Sequence, residues 1–228
     1  MPAVINALVL AMRQLSDPPV LRVLAKSIAI TIGLFVLLGF GISEGLPRLM
    51  SGYLDLGGET YAILSLILTL FALWFLFRIV AVAVLQFFAD EVVIAVEARH
   101  YPAASLGARR LPFREDLSNS LGSIARTIGI NLLAIPIALL LIPTGIGPAI
   151  AFFGANAILL GRELTDMAWL RHRQDPGARS PAGRVDRLIL GAAVAGLMLV
   201  PFVNLLAPVL GAAAGTHLVH RRLRNDNA

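Results

Sequence analysis

Long uncharged stretches separated by short polar ones dominate the pattern of hydrophobic and polar positions. The longest, residues 127–161, holds thirty-five residues without a charge and is closed by Arg126 and Arg162. Residues 142–148 (Ile-Pro-Thr-Gly-Ile-Gly-Pro) interrupt it with helix breakers and turn formers. The pattern therefore predicts two helical legs, sixteen and thirteen residues long. At roughly 24 and 20 Å, neither leg crosses a hydrocarbon core about 30 Å thick without borrowing flanking residues.

A second uncharged stretch, residues 188–216, is broken in the same way at residues 200–204 and again at Pro208. Both stretches predict helical hairpins that enter the membrane, turn inside it and return to the same side. The turns must be buried in protein or in water, because lipid cannot satisfy bare backbone groups. We expect the first hairpin over residues 112–173 and the second over residues 181–224.

The first half of the chain predicts two full transmembrane helices within residues 19–99. Residues 27–43 are uncharged and span when residues 20–26 are included. Residues 60–89 contain one charge, Arg78, and we expect their helix to run on to the breaker at Tyr101-Pro102. Residues 44–59 are expected to form a polar connector between the two spans.

Short amphipathic helices complete the expected architecture. Residues 1–17 are too short to span, so this helix should lie on the membrane surface or pack under the bundle. A second amphipathic helix should open at Pro112 and lead into the first hairpin. The apolar positions at helical spacing in the N-terminal helix are Val4, Ile5, Leu8, Met12 and Leu15.

Composition supports a membrane protein, since 57% of the residues are hydrophobic and the mean hydropathy is +0.80. The predicted fold class is an all-α integral membrane protein with two long transmembrane helices and two proline-broken, partly penetrating hairpins. Residues 1–228 are expected to form a single membrane domain. The net charge of +5 is spread over polar loops and termini, which indicates contact with the lipid bilayer and no nucleic-acid partner.

Enzyme chemistry is not indicated. Absent cysteines exclude disulfides, thiol catalysis and thiolate metal sites. We find no phosphate-binding glycine loop, nucleophile elbow or paired catalytic carboxylates, and expect no cofactor. His217 and His220 can share a helix face, but without an acidic or thiol partner they do not predict a metal site. Gly211 and Gly215 mark a small-residue face for close helix packing.

Arg22 and Lys26 are the candidate anion-binding residues. They lie four positions apart, so they share a face in the first two turns of the first span. The free N–H groups and the positive dipole end at the helix N-terminus would add to their charge. The alternative is that both are cytoplasmic anchors whose side chains reach lipid headgroups.

Other polar residues in apolar surroundings are expected either to line a pore or to join helices. Arg78 would cost at least about 2.5 kcal/mol at membrane depth, so it should face a partner or a wet cavity. Glu97 and Arg99 are expected in an ion pair between helix ends. Amides in the hairpins could line an anion path or form interhelical hydrogen bonds. These amides are Asn131, Asn156 and Asn204.

Charge also predicts orientation, because arginine and lysine favour the cytoplasmic side. The acidic-leaning residues 44–59 should face outward. The N-terminus, residues 99–126, residues 162–187 and the tail at residues 221–224 should face the cytoplasm.

Three segments in their order along the chain resemble the CysZ family of bacterial inner-membrane proteins, which are linked to sulfate uptake for cysteine synthesis. The segments are residues 96–99 (Val-Glu-Ala-Arg), 142–147 (Ile-Pro-Thr-Gly-Ile-Gly) and 200–208 (Val-Pro-Phe-Val-Asn-Leu-Leu-Ala-Pro). The resemblance implies a multi-pass permease with half-penetrating hairpins, a homo-oligomer that moves sulfate or a related oxyanion.

The family also carries a sulfate-associated Gly-hydrophobic-Arg-Arg motif at the start of the first span. Here one arginine matches at Arg22, while Leu21 stands in place of the other and Pro19 in place of the glycine. Two functional classes therefore stay open: an oxyanion channel or permease, and a non-transporting membrane scaffold or assembly factor with the same fold.

Overall fold

The computed structural model describes residues 2–51, 58–109, 111–175, 177–201 and 203–226. Within these ranges it does not describe the side chains of residues 46–47, 49–51, 58–62, 78–79, 81–87, 205 and 226. The helices of the described part are α1 (Pro2–Gln14), α2 (Pro18–Ser51), α3 (Gly58–His100), α4 (Pro102–Gly107), α5 (Phe113–Leu140), α6 (Gly147–Trp169), α7 (Arg184–Met198) and α8 (Val203–Asp226).

The chain packs as two compact units. Unit one contains Met1–Leu21 and Ala89–Ala228, and unit two contains Arg22–Phe88. The assignment of all 228 residues to a single membrane domain stays a prediction.

Unit two is an antiparallel pair formed by α2 and most of α3. Phe35 meets Phe77 edge to face at 5.5 Å between ring centroids. A side chain at Gly39 would come within 3.1 Å of Leu73 Cδ2, so the helices approach closely there. Lys26 Nζ lies 4.9 Å from the ring centroid of Phe88, within the range of a cation–π contact. As the residue number rises along α2, from Lys26 to Gly39, the number of its contact on α3 falls, from Phe88 to Leu73. The two helices are therefore antiparallel.

Large apolar side chains cover the outside of both helices in unit two. Leu37 and Phe40 on α2 are 67% and 69% exposed, and Phe71 and Trp74 on α3 are each 63% exposed. An apolar surface of this size is unfavourable in water and is what a helix presents to lipid.

Two described helices are long and apolar enough to cross a membrane, namely Pro18–Gly45 in α2 and Phe113–Leu140 in α5. The second is not the one predicted. In α3 the apolar stretch found among the described side chains is Ile63–Phe77. Helix α5 reaches this length because the expected amphipathic helix and the first leg form one continuous helix of twenty-eight residues, about 42 Å long.

The polar connector over residues 44–59 is also wrong in part. Helix α2 continues to Ser51, and α3 already begins at Gly58. Arg48 Nη2 donates to Glu44 Oε2 at 2.9 Å, an i,i+4 pair that supports the last turns of α2. Residues 52–57 of the expected connector lie outside the described residues.

In unit one, α8 forms the centre and α1, α6 and α7 pack against it. Every residue from 207 to 220 is buried. The N-terminal helix α1 packs against α8 and α7. The face that it buries differs from the one that its large apolar residues predicted. Its buried residues are Val4, Ala7, Ala11 and Gln14, while Ile5 and Met12 are more than half exposed. Small side chains let α1 approach α8 closely.

Hairpin one consists of α5 and α6, and its break lies where the prolines predicted it. A 3-10 turn occupies Ile142–Thr144, and Gly145 takes a φ of 73°, a conformation that favours glycine. Thr144 Oγ1 donates to the carbonyl of Leu141 and accepts from the Gly147 N–H, at 2.7 and 2.9 Å. The side chain therefore satisfies backbone groups that the turn frees. Hairpin two consists of α7 and α8, and residues 199–201 after α7 form a turn.

Glycines set the helix spacing in unit one. A Cβ on Gly191 would lie 1.8 Å from the Ala157 carbonyl oxygen, and one on Gly161 equally close to the Arg187 carbonyl oxygen. Helices α6 and α7 are therefore in backbone contact. A Cβ on Gly215 would lie 2.2 Å from the Leu164 carbonyl oxygen, so the small-residue face of α8 packs against α6. The protein is an all-α membrane protein with two proline-broken hairpins, as the sequence predicted.

Candidate functional site

A polar cavity of about 1060 Å³ lies in unit one, between the start of α5, the end of α6 and the segment that leads into α7. Seven arginines and four acidic residues line it among the described residues. We call it the arginine cavity. Its charged residues are Asp90, Asp116, Arg126, Arg162, Glu163, Asp166, Arg171, Arg173, Arg179, Arg184 and Arg187.

Two of these arginines are committed to carboxylates that do not line the cavity. Arg171 Nε donates to Glu97 Oε2 at 3.2 Å. Arg173 Nη2 donates to Glu115 Oε1 at 2.7 Å and to Asn119 Oδ1 at 3.2 Å. These pairs hold the chain segment after α6 against the ends of α3 and α5.

Asp166 joins two other arginines of the cavity. Arg162 Nε donates to Asp166 Oδ2 at 3.2 Å, one turn away on α6. Arg187 Nη2 lies 3.5 Å from Asp166 Oδ1. Arg187 reaches this place because the backbone contact between Gly161 and Arg187 brings the first turn of α7 onto α6.

Burial and neighbouring charge act on the groups of this cavity. Burial lowers the pKa of Arg187, as do the nearby charges of Arg162 and Arg126, whereas Asp166 raises it. Burial raises the pKa of Glu163, and the neighbouring carboxylates of Asp90 and Asp166 raise it further. The cavity therefore holds partly desolvated cations, and electrostatic attraction for an anion is stronger in such a place than in water.

A second polar cluster, which we call the Glu97 network, lies at the end of α3. Glu97 is 0% exposed, and its Oε1 lies 2.8 Å from His172 Nε2 and 3.3 Å from His220 Nε2. Arg171 binds its other oxygen. Burial would raise the pKa of Glu97, but the hydrogen bonds from His172 and His220 and the charge of Arg171 outweigh it and lower the pKa to about 2.

Glu97, His172 and His220 could also hold a metal ion, since their ligand atoms lie within 4.8 Å of one another. The prediction that His220 lacks an acidic partner is therefore wrong, because α3 supplies Glu97. Without an ion the carboxylate is already satisfied by three donors, one of them the guanidinium of Arg171. That charge opposes the approach of a cation.

His217 occupies a separate buried position on α8. Its Nε2 lies 2.7 Å from Gln14 Oε1 and its Nδ1 lies 2.6 Å from the Tyr101 hydroxyl. One nitrogen thus faces an acceptor and the other a donor, which fits the neutral ring. Burial lowers the pKa of His217 to about 4, and the neighbouring charges of His100 and Arg221 act in the same direction.

The predicted anion-binding pair lies on α2, in unit two. Arg22 and Lys26 are both exposed, and Lys26 stacks over Phe88. Helix α2 begins with Pro18 and Pro19, which have no N–H, and the Leu21 N–H already donates to the Asp17 carbonyl. Fewer backbone donors are therefore free here than at an ordinary helix N-terminus.

The remaining predicted residues are placed as follows. Arg99 Nε lies 3.9 Å from Asp17 Oδ2, a carboxylate that also contacts His100 at 2.8 Å. Asn131 and Asn156 donate to carbonyls one turn back in their own helices, Thr127 at 2.8 Å and Phe152 at 3.0 Å. Both of these hydrogen bonds lie within one helix, and the role of the two amides along an anion path or between helices stays a prediction. Asn204 is exposed at the start of α8, and the side chain of Arg78 lies outside the described residues.

Sequence reasoning missed the arginine cavity and the part played by His172. Arg126 and Arg162 were noticed only as the closing charges of an apolar stretch. The available signal was that Arg126 stands immediately before the first uncharged stretch and Arg162 immediately after it, while Arg187 stands immediately before the second stretch. Three arginines at the ends of antiparallel legs must meet at one end of the bundle.

One family model matches this chain. It is described as sulfate transporter CysZ/etoposide-induced protein 2.4, and it covers residues 7–208. The chain belongs to this family. The match of this CysZ/etoposide-induced protein family member covers hairpin one, including α5 and α6 of the arginine cavity, and extends through α7 to the first residues of α8. No curated protein and no solved structure matches the chain. The family is of the transporter type and is not an enzyme family.

Proposed function

We propose that this protein lets sulfate or a related oxyanion cross the bacterial inner membrane and so supplies sulfate for cysteine synthesis. The observation that carries the proposal is the family match over residues 7–208. The match includes the apolar helices α2, α3 and α5 as well as the residues of the arginine cavity.

The structure supports this function through its charge distribution. Apolar side chains cover α2 and α5, while arginines gather in the cavity of about 1060 Å³ in unit one. A divalent anion crossing a bilayer needs fixed positive charge along its way, because lipid offers none. Arg22 and Lys26 on α2 are further candidates for such charge, and Arg78 remains one by its place in the apolar sequence of α3.

We further propose that the protein is a homo-oligomer whose basic segments face the cytoplasm. The support is the apolar surface of hairpin one, which two amides interrupt, Asn131 on α5 and Asn156 on α6. A copy of the same chain or water could face these amides, and lipid alone could not favour them.

Flux of labelled sulfate into liposomes that contain the purified protein tests the function. We expect uptake above that of empty liposomes, and competition by sulfite or thiosulfate if the site accepts related ions. Correctly folded protein that moves none of the three ions would contradict transport and favour the scaffold alternative.

Sulfate binding to the purified protein decides the role of the predicted pair on α2. If Arg22 and Lys26 bind the anion, Arg22→Ala with Lys26→Ala should weaken sulfate binding, since a charge-assisted hydrogen bond contributes about 1.5–3 kcal/mol. Unchanged affinity in a folded double variant would assign both residues to membrane anchoring.

A further inference from the structure

We propose that Arg126, Arg162 and Arg187 form an oxyanion-binding site in which Asp166 occupies the place of the anion until the anion displaces it. The identity of the anion as sulfate rests on the proposed function; the site itself rests on the geometry of unit one.

The three arginines come from three helices and line the same cavity. Arg126 belongs to α5, Arg162 to α6 and Arg187 to α7. Their mutual proximity is unfavourable without an anion, because like charges repel in a partly desolvated place. Glycine contacts between α6 and α7 nevertheless hold Arg187 there. The fold therefore maintains a cluster of positive charge that has to be neutralised.

Asp166 neutralises this cluster only in part. Its two oxygens face different arginines, at 3.2 Å from Arg162 Nε and 3.5 Å from Arg187 Nη2. Charge-assisted hydrogen bonds between nitrogen and oxygen usually measure about 2.7–2.9 Å. The carboxylate is therefore shared loosely, and a ligand with more oxygens could make shorter bonds to both guanidinium groups.

The charge that remains also fits a dianion. Three arginines and one aspartate leave two positive charges at this place. Arg187 Nε is buried and has no hydrogen-bond partner among the described residues. A tetrahedral oxyanion carries acceptors in several directions, so it could bind the planar forks of two arginines and still offer an oxygen to this donor.

Displacement of Asp166 links binding to a movement of one side chain. When the oxyanion takes over Arg162 and Arg187, the carboxylate of Asp166 is repelled by the new negative charge and turns toward the open side of the cavity. Leaving of the anion lets it return. An internal competitor of this kind makes binding weaker than the charge of the site would allow, which favours release on the other side of a transport step.

Sulfate binding to purified protein in detergent, measured by calorimetry, tests the site with four variants. Asp166→Asn removes the competitor and should tighten binding about tenfold. Arg187→Gln should weaken it by about tenfold to a hundredfold. Glu163→Gln is the matched control, since it removes the same charge from the same helix and the same cavity. We expect it to tighten binding less than threefold.

The combination of both changes makes the test specific. In the Arg187→Gln background, Asp166→Asn should tighten binding less than it does in the wild-type protein, because one of the two arginine pairs of Asp166 is already gone. Equal gains for Asp166→Asn and Glu163→Gln would overturn the displacement and leave a general electrostatic effect. Unchanged affinity in folded Arg187→Gln would overturn the site. If Arg187→Gln does not fold, the comparison of Asp166→Asn with Glu163→Gln still decides.

Two further measurements identify the ligand and distinguish failure of the site from failure of the proposed function. Protein in nanodiscs of neutral lipid, with or without phosphatidylglycerol, distinguishes free sulfate from a lipid phosphate. Loss of the sulfate signal only with the anionic lipid would assign the site to a headgroup and overturn our proposal. Sulfate binding that responds to Asp166→Asn, without flux in liposomes, would keep the site and contradict transport. Flux that ignores Arg187→Gln would keep transport and reject the site.

Discussion

Hairpin one begins with α5, whose leucines and isoleucines are exposed around the helix, and hairpin two ends with α8, whose residues 207–220 are all buried. Leu133 of α5 is 68% exposed, whereas Leu218 of α8 is 0% exposed. The sequence pattern predicts an apolar helix beside a proline break in both cases. The difference lies in their neighbours, because α1, α6 and α7 enclose α8, while α5 packs mainly on α6 in the part of unit one that the structure describes.

This difference shows that an apolar sequence does not by itself say whether lipid or protein will cover a helix. Small residues decide it here. Helix α8 carries Gly211 and Gly215 where α6 approaches, and the alanines between them bring other helices close. Helix α5 presents branched side chains on nearly every face. We infer that lipid or another copy of the chain covers α5.

The largest effect is expected at Glu97, where residues at the ends of both hairpins meet. Glu97→Ala leaves His172, His220 and Arg171 without their shared acceptor in a buried place. Loss of one partner from a buried ionic cluster costs about 3–5 kcal/mol. Thermal unfolding in detergent should show this loss. Glu44→Ala, which removes an exposed pair, should change stability by less than about 1 kcal/mol; equal losses would contradict the central place of Glu97.

The comparison of the two helices can be tested directly with a pair of leucines. Leu218→Ala should lower the free energy of unfolding by about 2–5 kcal/mol, since it opens a cavity in the core of unit one. Leu133→Ala should change it by no more than about 0.5 kcal/mol in detergent, because its surroundings can adjust. A loss at Leu133 as large as that at Leu218 would show that a protein surface covers α5 under those conditions.

The pH dependence of stability sharpens the account of hairpin two. The folded-state pKa of His217 is lowered from 6.5 to about 4, so the unfolded chain binds a proton first as the pH falls. Stability should be constant above about pH 6.5 and fall between pH 6.5 and 4, by about 3 kcal/mol in total.

His217→Gln should flatten this slope, because the amide offers no proton-binding nitrogen in that range. Leu218→Ala serves as the control and should lower stability by the same amount at each pH. A slope that survives in His217→Gln would assign the pH dependence to another group.

The smallest effects are expected at the hairpin amides of α5 and α6. Asn131→Leu and Asn156→Leu remove hydrogen bonds within single helices, so the free energy of unfolding should change by about 0.5 kcal/mol or less. Bonds between helices would contribute about 0.6–2 kcal/mol. Losses in that upper range would show that these amides join a neighbouring helix when the protein is in a membrane.

Much of the fold could be predicted because membrane helices are recognisable from the length and the apolar composition of their sequences. The proline breaks, the N-terminal helix and the end of α3 at His100 lie where the sequence placed them. Helix boundaries were less predictable. The charges of Glu44 and Arg48 suggested a loop, but the two side chains form an ion pair that stabilises the last turns of α2. Residues 52–57 and the side chain of Arg78 lie outside the described residues.

The candidate site was harder to predict, because it depends on distant residues. Glu97, His172 and His220 are far apart in the chain, and only the packing of α3, α6 and α8 brings them together. Asp166 and Arg187 meet through a contact between glycines that no local pattern reveals. The one anion site that local spacing could indicate, Arg22 with Lys26, lies on a single helix.

The contact of Gly161 with Gly191 fixes the distance between α6 and α7 by main-chain atoms, without side chains that could adapt. The frame around Arg162 and Arg187 is therefore stiff, and only the long arginine side chains can respond to the size of a ligand. Discrimination among tetrahedral ions would then follow their charge and hydration more than their radius. A family member that binds a different anion would therefore be expected to differ at Arg162 and Arg187 and to keep Gly161 and Gly191.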